Sequence, residues 1–355
     1  MRGVWLVSAL VACGGGSDAP TIDAAADAID VDGNGLVSLD KTPTAYPMTC
    51  DGSGVVALSF THFLDVNDED QVVRLYERAQ PTAPVQSIDL APALGLAPDA
   101  EADLEDLERI GDRVFVTTSH GRKAGGMLDR ARYKLAAFDL AGAPPAVTLT
   151  SAGTSSLLLD QMLVAANWDA PNTTVIAALQ ESSDLGDDTD ASLAPEVDGT
   201  NIEALANDGT GNLLVGFRNP RPNDKAIVVS IVNPDTAVTG TARFGGAAEL
   251  DLGGLGIRGM AYSPVHAAVL IVAGPHATGG PFKLYKWSGQ LTAAPVFVAD
   301  ITAPAQSAPE AVVPYPSTKD VQIVFDGGDA TITGVQCKDA AVADRVFRDA
   351  ILTID

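Results

Sequence analysis

Residues 103–120, DLEDLERIGDRVFVTTSH, carry a pattern that returns along the chain. In each copy a charged residue and an apolar pair precede a turn, and an apolar strand with a polar end follows. The other copies are NIEALANDGTGNLLVGFRNP (201–220), GIRGMAYSPVHAAVLIVAGPH (256–276), APEAVVPYPSTKDVQIVFDGG (308–328) and a weaker one, GSGVVALSFTHFLDVNDED (52–70). Short, turn-bounded apolar runs of this kind predict β-strands. Repetition at roughly 50 residues is typical of β-propeller blades.

The number of blades depends on one long interval between the second and third copies. It spans roughly 100 residues, about twice the period of the other copies. A divergent blade within residues 167–187 would fill it. The sequence therefore predicts an all-β propeller of about six blades, with five as the alternative if the interval is only an insertion. Residues 155–166, SSLLLDQMLVAA, are the best candidate for a helix.

The two ends of the propeller are expected to meet. The last strand candidate, residues 347–354, would complete a blade together with the amino-terminal strand. Cys50 begins the first blade and Cys337 lies in the last, and these blades are neighbours in a closed ring. We therefore predict a Cys50–Cys337 disulfide, which an oxidising cell envelope permits.

The amino terminus carries a targeting pattern. Arg2 precedes a short apolar run, and Leu10-Val11-Ala12-Cys13 resembles the lipobox of bacterial lipoprotein signals. The run is far below the ~20 residues that span a bilayer, so it is excluded from the fold. Cleavage before Cys13 and lipid on its thiol would leave Cys50 and Cys337 free to pair. Gly14 in place of Asp permits delivery to the outer membrane, by resemblance to the Gram-negative sorting rule.

The segment behind Cys13 is predicted to be a tether. It is rich in Ala, Asp, Gly and Pro and lacks the apolar residues that a core needs. Asp30 begins a run like a calcium loop, but the twelfth position, which needs a bidentate Glu, is Lys41. The expected division is therefore a signal peptide at 1–12, a flexible tether at 13–47 and the propeller at 48–355.

The net charge limits the classes of partner that the protein can bind. The 46 acidic against 22 basic residues give a charge of −24, and phosphate binding needs clustered Lys and Arg. Nucleic acid is therefore excluded as a partner. The same acidity leaves calcium as a candidate cofactor.

The repeat residues also resemble a family, the bacterial "domain of unknown function 3616" family. The matching stretches include DVNDEDQVVRLYER (65–78), LDLGGLGIRGMAY (250–262), FKLYKWSG (282–289) and the copies at 103–122 and 201–220. The resemblance covers nearly all of residues 50–355. It implies a propeller-like fold and no established activity.

A first candidate site follows from the repeat, which places Glu105, Glu203, Arg258 and Glu310 at equivalent positions. These positions open the innermost strand of each blade and are expected to cluster at one mouth of the channel. Carboxylate oxygens suit a hard cation, so Glu105, Glu203 and Glu310 are candidate calcium ligands. The alternative is that all four residues only ring the channel.

A second candidate cluster lies in the turns that end the next strands. Its members are Ser119, His120, Arg122, Arg218, Asn219, His276 and Asp326. His120 has a reference pKa near neutrality and could act as a general base, while Arg122, Arg130, Arg132 and Arg218 could clamp an anion. Loop packing is the favoured alternative. The acidic turn made of Asp65, Asn67, Asp68, Glu69 and Asp70 is either a solvated loop or part of a calcium site.

Two functions remain open. The first is an envelope-anchored lipoprotein whose propeller binds a small molecule, a metal ion or an envelope protein at the channel mouth, with the membrane contacted through Cys13. The second is a metal-dependent hydrolase of phosphoesters or lactones, in which His120, Arg122 and Arg218 are the catalytic candidates. Whether the protein is an enzyme is left undecided, since no nucleophile elbow, HExxH motif or P-loop is present in the sequence.

Overall fold

A computed structural model describes residues 36–37, 43–97, 100–277, 279–332 and 334–354. The predicted signal peptide, Cys13 and the Asp30 loop lie outside these residues. Within them, no helix is long and apolar enough to cross a membrane. Two strands come before the first repeat, β1 (Leu36–Val37) and β2 (Thr44–Pro47).

Five four-stranded antiparallel blades form the fold, so the propeller is confirmed with the five-bladed alternative, and the expectation of six blades is wrong. Blade 1 contains β3 (Gly54–Ala57), β4 (His62–Val66), β5 (Val72–Glu77) and β6 (Gln86–Asp89). Blade 2 contains β7 (Leu104–Ile110), β8 (Arg113–Thr118), β9 (Leu135–Ala143) and β10 (Ala146–Ser155). Blade 3 contains β11 (Asn201–Asn207), β12 (Leu213–Asn219), β13 (Ala226–Ile231) and β14 (Phe244–Leu250).

The remaining blades complete the ring. Blade 4 contains β15 (Gly256–Ser263), β16 (Ala268–Gly274), β17 (Phe282–Trp287) and β18 (Val296–Ile301), and β1 adds to its outer edge in parallel with β18. Blade 5 contains β19 (Ala308–Pro314), β20 (Asp320–Asp326) and β23 (Val346–Thr353), with β2 as its fourth strand. A small hairpin, β21 (Thr331–Ile332) and β22 (Val335–Gln336), lies between β20 and β23.

The closure of the ring follows the prediction. β23 pairs with β2 on one side and with β20 on the other, so the amino-terminal strand completes the last blade. The strand that completes blade 5, β2, covers residues 44–47. The predicted disulfide is confirmed, since Cys50 and Cys337 are bonded across this closure.

The long interval after blade 2 is a helical insertion instead of a blade. It holds α2 (Leu158–Met162) and α3 (Thr173–Ser183), whereas α1 (Ala91–Leu94) and α4 (Pro234–Ala237) are single turns elsewhere. The side chain of Asn172 caps α3 by accepting hydrogen bonds from the amides of Thr174 and Val175. Val175, Ile176 and Leu179 are buried in one core cluster with apolar residues of blades 2 and 3. The predicted helix at 155–166 is confirmed only over α2.

The inner strands are positioned by close backbone contact. β3, β7, β11, β15 and β19 touch one another in cyclic order around the channel. A Cβ added at Gly259 of β15 would lie 2.1 Å from the carbonyl oxygen of Glu310 on β19. The glycine therefore lets two inner strands approach, and this approach brings their first residues together at one mouth.

Candidate functional site

Four of the five inner strands carry a β-bulge near their first residue. The pairing of β7 with β8 passes from Leu104 to Asp106 and leaves Glu105 without a partner. The corresponding unpaired residues in blades 3, 4 and 5 are Glu203, Arg258 and Glu310. A bulge re-aims a side chain out of the regular alternation, and here all four side chains line the cavity at the channel mouth. The structure thus places the four residues of the first predicted cluster at one structural position.

Blade 1 lacks this bulge and presents no large side chain there. Its inner strand starts at Gly54, which pairs directly with Val66. A Cβ on Gly54 would lie 2.3 Å from the Cα of Asp106 in blade 2. The glycine therefore lets the inner strand of blade 1 pack closely against that of blade 2.

The mouth opens into a funnel of about 710 Å³. Its lining contains ten carboxylate side chains against four arginines and one lysine, an excess of five negative charges if all are ionised. The carboxylates are Asp68, Glu69, Glu101, Asp103, Glu105, Glu196, Glu203, Glu310, Asp326 and Asp329, and the cations are Arg122, Arg132, Arg218, Arg258 and Lys338.

Arginines neutralise only one side of the funnel. Arg218 Nη1 lies 2.6 Å from Glu203 Oε1, and Arg258 Nε lies 3.3 Å from Glu203 Oε2. Arg258 also pairs with Glu310. Near the rim, Arg132 binds Asp103 at 3.0 Å and also binds Glu101. These pairs hold two of the three predicted metal-binding glutamates.

Glu105 is different, because no ion pair to it exists in the described part of the chain. Burial raises the pKa of its carboxyl well above the usual range, and the neighbouring carboxylates of Glu203, Asp103 and Asp68 raise this pKa further. Arg218 opposes these effects only weakly. Glu105 therefore lines the funnel without a countercharge among the described residues, and its ionised form requires a cation beside it.

The second predicted cluster is divided by the structure. Arg218, His276 and Asp326 line the funnel, and Arg221 donates to His276 Nδ1 at 2.7 Å. Ser119 accepts from the amide of Gly121, and Asn219 donates to the carbonyl of Pro195, so both buried side chains tie loops together.

His120 and Arg122 make structural contacts beside the helical insertion. His120 is fully buried against Tyr133, does not line the funnel, and has a pKa lowered by burial to about 4. The guanidinium of Arg122 also borders the funnel, but it donates to backbone carbonyls on two sides. These acceptors are Gly126, Ser183, Asp184 and Asp187, at 2.8 to 3.2 Å. Arg130, another candidate for clamping an anion, pairs with Asp160 and does not line the funnel.

The acidic turn is divided in the same way. Asp70 binds Arg74, and Asn67 accepts hydrogen bonds from the amides of Glu69 and Asp70. Asp65 is buried inside blade 1, while Asp68 and Glu69 line the funnel.

Sequence reasoning did not single out Asp51 or Asp103. Asp51 is 3% exposed, and its carboxyl lies with those of Asp68 and Glu69 in a group whose ligand oxygens are within 4.8 Å of one another. This is the group of three that the described residues form, in place of Glu105, Glu203 and Glu310. A metal bound by those three glutamates stays a prediction. The sequence feature that points to Asp51 is its position directly after Cys50.

The opposite mouth of the channel has a different character. A second cavity of about 380 Å³ there is lined by small and apolar side chains together with Glu108, Arg109 and Asn207. Burial raises the pKa of Glu108 to about 7, although Asn207 and the amide of Arg109 donate to its carboxyl. Charge is therefore concentrated at the mouth that carries the bulges.

The model of the family described as "Protein of unknown function (DUF3616)" matches residues 53–322. The chain belongs to this family. No curated protein matches the sequence.

Solved structures show a likeness of fold. A glutaminyl cyclase from Myxococcus xanthus is 11% identical with a TM-score of 0.40, covering 89% of this chain and 96% of the other. The PQQ-bound aldose sugar dehydrogenase from Streptomyces coelicolor is 11% identical with a TM-score of 0.41, covering 87% and 96%. A putative glucose dehydrogenase from Thermus thermophilus is 10% identical with a TM-score of 0.40, covering 88% and 100%. These similarities concern the propeller and carry nothing about activity.

Proposed function

We propose that this member of the DUF3616 family is a binding module that holds a small ligand carrying a cationic amine in the funnel. The observation behind this proposal is that Glu105 lines the funnel together with Glu203, Asp103 and Asp68, and no arginine of the described structure makes an ion pair with it. A cation at this point would compensate the Glu105 carboxylate, which is otherwise buried without a countercharge at a cost in free energy.

The shape of the funnel supports a small molecule. A volume of about 710 Å³ lies within the range of ordinary ligand sites. Side chains come from all five blades, and inner-strand contacts hold the bulged residues in place. Such a preformed site loses little entropy of its own on binding.

The arginine side of the funnel suggests a second feature of the ligand. The Nε atoms of Arg218 and Arg258 are buried and have no hydrogen-bond acceptor in the described structure. The approach of Arg258 Nε to Glu203 is an ion pair without the alignment of a hydrogen bond. A carbonyl, hydroxyl or carboxylate oxygen of the ligand would satisfy both atoms. The proposed ligand is therefore an amine with at least one acceptor group, as in an amino acid or a short peptide.

The test is a thermal-shift panel followed by calorimetry on the full chain. The panel compares amino acids, short peptides and diamines with dicarboxylates and neutral sugars. We expect stabilisation by the amine-bearing classes, because a ligand that binds only the native state raises the melting temperature. Stabilisation by dicarboxylates alone would contradict the proposal.

A matched pair of variants locates the site. Glu105→Gln is expected to lower amine affinity roughly 10- to 100-fold, since a charged hydrogen bond contributes about 1.5–3 kcal/mol. Glu108→Gln changes the same residue type three positions along the same strand, at the opposite mouth, and should leave the affinity unchanged. Equal losses in both variants would reject the funnel as the site.

We further propose that the protein is a lipoprotein anchored through Cys13. The support is the lipobox-like run Leu10-Val11-Ala12-Cys13 and the pairing of the other two cysteines with each other. Palmitate labelling of the wild type should disappear in Cys13→Ser, and labelling that persists in the variant would refute the anchor. Delivery to the outer membrane is part of the same proposal and is tested by fractionating the labelled membranes.

The hydrolase alternative stays a prediction. His120 was its candidate base, and the position of this side chain outside the funnel lining gives the alternative no support.

A further inference from the structure

Three separate segments bring carboxylates together where the ring closes. Asp51 follows β2 of blade 5, Asp68 and Glu69 lie in the turn between β4 and β5 of blade 1, and Asp326 ends β20 of blade 5. One ligand oxygen from each of Asp51, Asp68 and Glu69 lies within 4.8 Å of the other two. The carboxyl of Asp326 lies against that of Asp51.

Two carboxylates of this cluster have a buried oxygen without a hydrogen-bond partner in the described structure. Asp51 is 3% exposed, and its Oδ1 atom is buried without a hydrogen-bond donor in the described structure. The Oδ1 atom of Asp68 is likewise buried without a hydrogen-bond donor. Buried carboxylates normally have donors or a cation beside them, so the cluster lacks one partner.

The basic side chains that face the cluster are already engaged. Lys338 Nζ lies 3.2 Å from Asp329, and 41% of the Lys338 side chain is exposed. Arg345 donates to the backbone carbonyls of Ala340 and Lys338. Neither side chain makes an ion pair with Asp51, Asp68 or Glu69 in the described residues.

We infer that a calcium ion binds at this seam, coordinated by Asp51, Asp68 and Glu69. The ligand atoms of this group are all carboxylate oxygens, which suit a hard cation, whereas zinc prefers nitrogen and sulfur ligands. Calcium accepts oxygen ligands in flexible geometry, while magnesium demands a near-ideal octahedron and usually keeps several waters. Three carboxylates contributed by two separate segments of the chain therefore suit calcium best.

The ion would join two blades. Asp51 immediately follows Cys50, whose carbonyl accepts from the amide of Gly327, and Cys337 links the same region covalently. Calcium would thus form a second link across the closure, beside the disulfide. The calcium site shares Asp68 with the surroundings of Glu105, but Glu105 itself is not one of its ligands.

The experiment titrates calcium chloride into the full chain after treatment with EDTA, by calorimetry and thermal unfolding. We expect saturable binding at one site, a higher melting temperature with calcium and weaker binding of magnesium. Asp51→Asn should lower calcium affinity roughly 100-fold, because a direct ligand contributes at least as much as the groups that orient ligands. Glu69→Gln should also weaken binding, and its exposed position keeps this variant folded if Asp51→Asn is not.

Glu196→Gln is the matched control. It removes a charge from the same funnel but not from the cluster, so calcium affinity should be retained. Absence of saturable binding to the wild type would overturn the inference, as would unchanged affinity in both Asp51→Asn and Glu69→Gln, an equal loss in Glu196→Gln, or tighter binding of magnesium.

The two variants distinguish the proposal of amine binding in the funnel from the proposal of calcium binding at the seam. Glu105→Gln should lose amine affinity and keep calcium affinity, whereas Asp51→Asn should do the reverse. If only Glu105→Gln lost calcium, the ion would belong to the predicted set of Glu105, Glu203 and Glu310, and the seam site would be refuted.

Discussion

At the scale of single residues, the site depends on which carboxylates have partners. Glu203 and Glu310 are paired with arginines, whereas Glu105 and Asp51 are buried without one. The repeat in the sequence was enough to predict Glu105, Glu203, Arg258 and Glu310, because each copy places its charged residue in the same register. The repeat could not predict which of these residues form ion pairs, because the pairs join side chains that come from different blades.

Glu108 provides a prediction of pH dependence. Burial raises the pKa of its carboxyl from 4.5 to about 7, so the folded state holds a proton between these values that the unfolded state releases. Its contribution to stability is present below pH 4.5 and is lost as the pH rises through 7. A glutamine side chain at this position would keep an acceptor oxygen for Asn207 and for the amide of Arg109 without the buried charge.

Glu108→Gln is therefore expected to raise the free energy of unfolding at pH 8 by about 2 kcal/mol and to leave it nearly unchanged at pH 4. Urea denaturation at the two pH values measures this. Asp112→Asn, at a highly exposed carboxylate beside the same strand, is the control and should show no such difference. A lower stability of Glu108→Gln at pH 8 would contradict the assignment.

At the scale of elements, the inner strands owe their position to small residues at their contacts. Gly54 faces Asp106, and Gly259 faces the carbonyl of Glu310. Asp106 also accepts from the amide of Leu205 at 2.7 Å, which fixes blade 2 against blade 3. These contacts hold the bulges, and hence the funnel, in one arrangement.

Gly259→Ala should consequently destabilise the protein. The new Cβ would lie 2.1 Å from a backbone oxygen, so β15 and β19 would have to separate, at a cost of about 2–4 kcal/mol. Thermal unfolding measures the loss. Gly186→Ala in the insertion, where the nearest atom is the Asp184 carboxylate oxygen at 3.7 Å, should be tolerated, and equal stability of both variants would contradict the packing argument.

The insertion shows why the repeat alone gives the wrong number of blades. Val175, Ile176 and Leu179 follow a helical spacing behind an Asn cap, and this pattern is present in the sequence. The length of the interval nevertheless favours a sixth blade over a helix, because a gap of about two repeat periods is what one divergent blade would leave. Packing of the helix against blades 2 and 3 supplies the burial that a sixth blade was expected to supply.

At the scale of the whole molecule, the chain is joined across one seam by three means. β2 completes the sheet of blade 5, the Cys50–Cys337 disulfide crosses the closure, and Tyr46 packs against Phe63, Tyr76 and Phe347. A cross-link between residues 287 apart constrains the unfolded chain, by about 6 kcal/mol in the entropic model. The disulfide and the closing strand were predictable, because both follow from the topology of a ring.

The proposed function also belongs to this scale, since the funnel needs all five blades. The most direct measurement is a crystal structure of the protein with the amine-bearing ligand that binds best. The account predicts the ligand nitrogen within hydrogen-bond distance of the Glu105 carboxylate and an acceptor oxygen facing Arg218 or Arg258. An amine bound at the opposite mouth, or an anion in contact with Glu105 in its place, would contradict it.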